Sequence, residues 1–202
     1  MRIGVFGTGV VGRTIAGKLR ELGHDVLVGS RTAGEDAVTF AEAAGHGELV
    51  FNCTNGNASL DALQAAGEEN LAGKVLVDVS NALDVSQGMP PIPGVSLSDS
   101  LGEQIQRAFP DAKVVKALNT VTAGVMVDPS SVSGEHDLFM SGNDTDAKAR
   151  VAELLQSFGW PEERIVDLGD ITGARAQELY LALWVRLMGT LGGPTFNVHV
   201  AR

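Results

Sequence analysis

The sequence predicts an α/β fold wound on both faces of a mostly parallel sheet, and three observations predict it. Seven short apolar runs recur along the 202 residues: RIGVF (2–6), DVLVG (25–29), LVFNC (49–53), KVLVDV (74–79), AKVVKAL (112–118), HDLFMSG (136–142) and RIVDL (164–168). They are nearly continuous in apolar residues rather than alternating, the pattern of strands covered on both faces. Amphipathic stretches separate most of them and predict helices over 10–22, 35–44, 59–66, 100–109, 144–158 and 173–188. The third observation is a glycine-rich turn placed between the first strand and the first helix.

That turn reads Gly7, Thr8, Gly9, Val10, Val11, Gly12, a G-x-G-x-x-G pattern. In this context the first glycine permits the tight turn, the second lets backbone approach a diphosphate, and the third lets helix pack on strand. Free N–H groups at the helix start, aided by the helix dipole, face the anion. The predicted architecture is therefore a doubly wound, mostly parallel Rossmann sheet. A nucleotide-binding unit is expected over 1–168, with a short C-terminal helix-plus-strand extension over 169–202.

The second apolar run decides which dinucleotide is expected. An Asp or Glu at its end would accept hydrogen bonds from an adenosine ribose 2'-hydroxyl and repel a 2'-phosphate. This chain instead has Gly29 followed by Ser30, Arg31 and Thr32. Two hydroxyls and a guanidinium suit a phosphate, which arginine binds through bidentate, charge-assisted bonds. The expected cofactor is NADP(H). Glu35 and Asp36 follow, with no second cation between 32 and 39. They are read as acids favouring the positive start of the next helix.

Ligands in such sheets sit outside the carboxyl ends of the strands. Those ends carry Cys53, Thr54 and Asn55, then Ser80 and Asn81, then Asn119 and Thr120. The first group reads equally as pyrophosphate and ribose contacts or as Asx-turn chemistry. Asp78 and Lys116 precede their strand ends and read as structural. Asn119 is the first choice for fixing a nicotinamide or its partner, with Thr120 beside it as a second positioning group.

Absences shape the expected chemistry. Tyr180, the only tyrosine, is followed four residues later by Trp184 rather than lysine, so a Tyr-x-x-x-Lys proton-transfer pair is missing. His24, His46, His136 and His199 fall away from the predicted cleft and read as surface or packing residues. No metal-ligand spacing and no paired carboxylates stand out, so neither a metal nor a catalytic acid or base is expected. Hydride transfer between two bound cofactors fits, because the cofactors carry the reaction and the protein supplies alignment.

Composition narrows the partners. A net charge of -10 opposes nucleic acid and anionic membrane surfaces. A single cysteine excludes an internal disulfide and fits a reducing cytoplasm. The N-terminus lacks the layout of a signal peptide. The longest strongly apolar stretch, 179–191, contains Arg186 and falls short of the roughly 20 residues that span a bilayer. A soluble cytoplasmic protein is expected. A helix so apolar must either plug the core or meet a second subunit, which points to a homodimer. The segment GMPPIPGV (88–95) reads as extended loop, either beside the cleft or as a surface crossover.

Together, MRIGVFGTGVVGRTIAGKL, VGSRT, LVDVSNAL, VVKALNTV, DLFMSGND, VDLGDITGARAQELYLALW and GGPTFNVHVAR resemble the NADPH-dependent oxidoreductases of the deazaflavin coenzyme F420 type. The chain is also similar to the nucleotide-binding domain of six-transmembrane metalloreductases, from which the expected absence of membrane spans separates it. The first resemblance implies a homodimer that moves hydride reversibly between deazaflavin C5 and nicotinamide C4. It implies pyrophosphate contacts from Thr8, Gly9, Val10 and Val11, and a 2'-phosphate held by Ser30 and Arg31. Ser80, Asn81, Asn119 and Thr120 would line the nicotinamide side. Two alternatives stand beside it: an NADPH-dependent reductase of an imine, carbonyl, flavin or metal complex, and a non-catalytic NADP sensor.

Overall fold

The computed structural model describes residues 1–84, 86, 88, 92, 93 and 96–201. Its strands are β1 (Arg2–Phe6), β2 (Asp25–Ser30), β3 (Val38–Thr39), β4 (Leu49–Asn52), β5 (Val75–Asp78), β6 (Leu83–Asp84), β7 (Ile92–Pro93), β8 (Lys113–Ala117), β9 (Leu138–Gly142) and β10 (Ile165–Asp167). The helices are α1 (Val10–Glu21), α2 (Phe40–His46), α3 (Ser59–Ala66), α4 (Glu68–Leu71), α5 (Leu101–Ala108), α6 (Ala123–Val127), α7 (Thr145–Ser157), α8 (Ala174–Leu179) and α9 (Leu181–Leu191). Eight strands form one sheet in the order β10-β9-β8-β5-β4-β1-β2-β3. All neighbours are parallel except β8 and β9. The fold is the doubly wound Rossmann arrangement that the apolar runs predict.

Burial on both faces explains why those runs are continuous. Along β4, Leu49 and Phe51 enter one apolar cluster with Ile15 and Leu19 of α1, while Val50 enters the opposite cluster with Phe40 of α2 and Leu63 of α3. Successive side chains point to opposite faces, so a strand covered on both faces is apolar at consecutive positions. The chain reverses its strand order between β1, which pairs with both β2 and β4, and its neighbours. The crevice at that switch opens at the C-terminal ends of β1, β2, β4, β5 and β8.

Four elements depart from these expectations. The helix expected over 35–44 begins only at Phe40, because Thr39 and Glu42 form a reciprocal capping box: Glu42 N–H donates to Thr39 Oγ1 at 3.2 Å and Thr39 N–H to Glu42 Oε2 at 2.8 Å. Residues 38–39 join the sheet edge as β3, so Glu35 and Asp36 lie outside the helix whose start they were expected to favour. The helix expected over 173–188 is divided at Tyr180 into α8 and α9, and α9 runs on to Leu191. The expected terminal strand TFNVHV makes no ladder. It is tied to β9 by Asp137 N–H donating to Val198 O at 2.9 Å, Val200 N–H to Asp137 Oδ2 and Asn197 Nδ2 to Asp137 O at 2.8 Å. Of the 88–95 loop, residues 92–93 pair antiparallel with 83–84, while most of the segment lies outside the described residues.

Helix α9 settles one of the two readings of its apolar sequence. Within it only Leu181 is buried, and Leu183 and Leu191 stand 53% and 61% exposed. It does not plug the core of this chain. Among the described residues, no helix is long and apolar enough to cross a membrane.

Candidate functional site

The glycine turn is shaped by contacts that leave no room for side chains. Gly7 has φ +112° and donates its N–H to Gly29 O at 2.9 Å, joining the ends of β1 and β2. A Cβ at Gly12 would stand 2.0 Å from Gly7 O, so the start of α1 lies directly on the turn. Gly9 is the opposite case: a Cβ there meets nothing within 4 Å. Gly9 is also the N-cap of α1, offers no capping side chain, and has no acid in the following turn. The first N–H groups of a 12-residue helix are therefore left uncapped by any side chain among the described residues, a ready anion site.

Two adjoining cavities open from this point. The first, about 600 Å³, is lined by Gly7, Thr8, Gly9, Ser30, Arg31, Thr32 and Phe40, and across from them by Cys53, Thr54, Asn55, Ala58, Asp61, Ala62 and Ala65. Arg31 is exposed and, among the described residues, has no carboxylate at ion-pair distance. Asp61 contributes the one carboxylate on this wall. Glu35 and Asp36 line a separate groove with Arg13 and Arg20. Ser30 Oγ donates to Thr32 O, which folds the strand end around Arg31.

The second cavity, about 380 Å³, shares Cys53 and Thr54 with the first and is lined further by Val10, Val11, Ser80, Asn81, Asn119, Thr120, Met126, Leu181 and Trp184. Val10 and Val11 thus face this second space rather than the first. Gly12 lies beneath the turn and lines neither. Cys53 stands between the two spaces. Burial, reinforced by the Asp78 carboxylate, pushes its thiol far above the ordinary value, so it is a neutral wall and not a nucleophile.

A buried charge cluster supports the second cavity. Lys116 Nζ, fully buried, meets Asp78 Oδ2 at 2.7 Å and Glu178 Oε1 at 2.9 Å. Burial pulls the ammonium down, but the two carboxylates outweigh it and hold Lys116 above its ordinary value. The other Asp78 oxygen accepts from Asn52 Nδ2 at 2.9 Å and Ser80 Oγ at 2.6 Å. Glu178 accepts the N–H groups of Leu101 and Gly102 at 2.8 and 3.0 Å. One carboxylate on α8 thereby ties the start of α5 to the end of β8. Next to it, Gln177 Nε2 donates to Asn119 Oδ1 and Lys116 O at 3.3 Å and to Phe139 O at 3.1 Å, while Ser141 Oγ donates to Gln177 Oε1 at 2.6 Å.

Asn119 lines the second cavity, and these bonds also engage its side chain. Its side chain is 3% exposed, donates to Asn81 Oδ1 at 3.0 Å and accepts from Gln177, and its carbonyl accepts from Asn81 Nδ2 at 2.9 Å. It braces the cavity wall rather than presenting a free amide. The turn leading into it carries Leu118 at φ +66°, the one non-glycine residue with positive φ among those described. A leucine there costs about 1–2 kcal/mol, strain of the kind that collects at functional sites. Among the described residues, Thr120, 1% exposed, keeps its Oγ1 without a partner, and Trp184 Nε1 is also buried without one. Sequence reasoning named Asp78 and Lys116 only as structural and missed Glu178, Gln177 and Trp184 as parts of this wall, because they arrive from α8 and α9.

Comparisons with known proteins follow the same outline. A family model described as NADP oxidoreductase, coenzyme F420-dependent, matches residues 2–82. A solved structure from Arthrobacter sp. FB24, a proposed F420-dependent NADP reductase, is 51% identical and superposes with a TM-score of 0.95 over 100% of both chains. An F420-dependent NADP reductase of Methanothermobacter marburgensis is 30% identical, with 93% of this chain and 92% of the relative aligned. Metalloreductase STEAP3 of Rattus norvegicus is 29% identical over 96% of this chain, which spans 38% of that relative's length.

Proposed function

The chain belongs to the coenzyme F420-dependent NADP oxidoreductase family, and from that premise we propose that it transfers a hydride between NADP(H) and a deazaflavin of the coenzyme F420 type. The observation that carries the cofactor is the end of β2. Ser30, Arg31 and Thr32 replace the acid that would select NADH, and Arg31 has no ion-pair partner among the described residues. The open space above Gly9 and the uncapped start of α1 fit a diphosphate.

Bound side by side, the two reactants would supply the redox chemistry themselves, a hydride from NADPH and a proton from water together accounting for reduction of the deazaflavin. The chain's share is binding and alignment. Thr8, Gly9 and the first N–H groups of α1 hold the diphosphate, and Ser30, Arg31 and Thr32 hold the 2'-phosphate. Cys53, Thr54 and Asn55 form the wall between the two cavities. Ser80, Asn81 and Thr120, braced by Asn119, line the nicotinamide side. None of these residues has to exchange a proton with the reacting carbons.

Residues 1–168 act as the nucleotide-binding unit, and 169–202 close the second cavity through Leu181 and Trp184 and pair two copies through the exposed apolar side of α9. The expected form is a cytoplasmic homodimer. Sedimentation at micromolar concentration should give the dimer mass, and a monomer there contradicts the pairing.

The test of function is the absorbance of NADPH mixed with oxidised deazaflavin and catalytic amounts of protein. Loss of both absorbances in equal molar amounts is the expected result. Tight NADPH binding without oxidation by deazaflavins, flavins or carbonyl compounds would identify a sensor instead. Turnover with a small carbonyl or imine alone would identify a different reductase.

A further inference from the structure

Trp184 is the part of the second cavity that the nucleotide does not explain. It comes from α9, outside the sheet and the helices that flank it, yet lines the cavity with Val10, Thr120, Met126 and Leu181. Its indole is clamped against Phe196, with ring centroids 5.5 Å apart and planes at 26°, and Phe196 is itself buried. The ring is therefore held in place before any ligand arrives. Among the described residues, its Nε1–H is buried without an acceptor, and the Thr120 hydroxyl is likewise buried without a partner.

A buried donor without an acceptor loses its hydration and gains nothing in return, and buried tryptophans usually find a partner. Indole N–H can only donate, so the missing group is an acceptor such as a carbonyl oxygen. Val10, Met126 and Leu181 add an apolar surface around it. An anchored aromatic wall with a single donor suits a flat ring system that carries a ring carbonyl. The nicotinamide is reached from the strand ends, by Ser80, Asn81 and Thr120, whereas Trp184 stands on a separate element.

From this geometry we infer that Trp184 is the specificity-determining residue for the second reactant, meeting the edge of a planar heteroaromatic hydride partner and donating Nε1–H to its ring carbonyl. The inference rests on the hydride-transfer reading above and deepens it, since it assigns the partner's chemical class to one side chain.

The experiment uses the full chain loaded with NADP+ and titrated with oxidised coenzyme F420 or, separately, with flavin mononucleotide. Binding is read by calorimetry, and KM and kcat are measured in parallel with NADPH. Trp184→Phe keeps the plane and removes the donor; it should raise the Kd and KM of the planar partner about tenfold, as expected for one lost hydrogen bond. Trp184→Leu also removes the plane and should raise them further. The Kd of NADP+ should stay within about twofold in both variants, which also verifies that they are folded.

Equal weakening of NADP+ and partner would overturn the inference, because the indole would then belong to the nicotinamide. Unchanged partner binding in both variants would overturn it as well, as would the absence of any planar heteroaromatic binding to the wild-type chain. If flavin mononucleotide binds in a Trp184-dependent way and the deazaflavin does not, the inference holds while the deazaflavin reading fails.

Discussion

The two cavities meet at Cys53 and Thr54 but are built in different ways, and the difference explains what each can tolerate. The first is made of backbone. Its essential parts lie within 26 residues of chain, from Gly7 to Thr32, and depend on the absence of side chains and on Arg31, a cation with no ion-pair partner among the described residues. The second is made of side chains brought together across the molecule. Lys116 meets Asp78 and Glu178 from separations of 38 and 62 residues, and the pair Asn81–Asn119 bridges another 38. The first cavity should therefore fail through binding, and the second through folding.

Lys116→Met should show the largest effect. It leaves two buried carboxylates without their cation, and breaking a buried pair in this way costs about 3–5 kcal/mol. That is a large part of the roughly 5–15 kcal/mol that holds a typical domain together. Urea unfolding should show the midpoint falling sharply or no folded protein at all. A variant as stable as the wild type would show that the cluster does not hold the second cavity together.

At the glycine turn beside the first cavity, Gly12→Ala and Gly9→Ala should separate folding from binding. At Gly12 the added methyl meets Gly7 O, so stability should drop by about 1–3 kcal/mol, the usual cost of overpacking. At Gly9 it meets only open space. Thermal unfolding of Gly9→Ala should match the wild type, while NADPH affinity falls about tenfold or more where backbone must approach the diphosphate. Equal loss of stability in both variants would contradict the contrast.

A smaller effect concerns acid. Arg175 holds the buried Glu103 carboxyl below its ordinary value, with Ser100 assisting, and the pair ties α8 to α5. A depressed carboxylate contributes stability above its unfolded pKa of about 4.3, and that stability is lost as pH falls through the folded value. The melting temperature should therefore decline below about pH 4. The decline should be shallower in Glu103→Gln. An identical pH profile in that variant would remove Glu103 from the account.

The same contrast explains which parts the sequence made readable. The strands, the glycine turn and Ser30-Arg31-Thr32 are local, so period, spacing and residue type were enough to find them. The helix at 40–46 began later than its composition implied because a capping box, Thr39 with Glu42, outweighed the run of alanines. Residues 195–200 looked like a strand because Val and Phe alternate with polar residues, but tertiary bonds to Asp137 hold them without a ladder. Glu178 and Gln177 looked like ordinary helix polar residues, since nothing local shows that α8 is inserted among the ends of β8 and β9. The Trp184 indole, without an acceptor among the described residues, was equally hidden, because an orphaned donor exists only once its surroundings do.

The central claim is that the end of β2 chooses the nucleotide while the far cavity chooses its partner. Its most direct measurement is the pair of dissociation constants for NADPH and NADH in wild type and Arg31→Ala. The account predicts that NADPH weakens about ten- to a hundredfold, as expected when a charge-assisted contact is lost, while NADH changes by less than about twofold. Equal weakening of both nucleotides would contradict it.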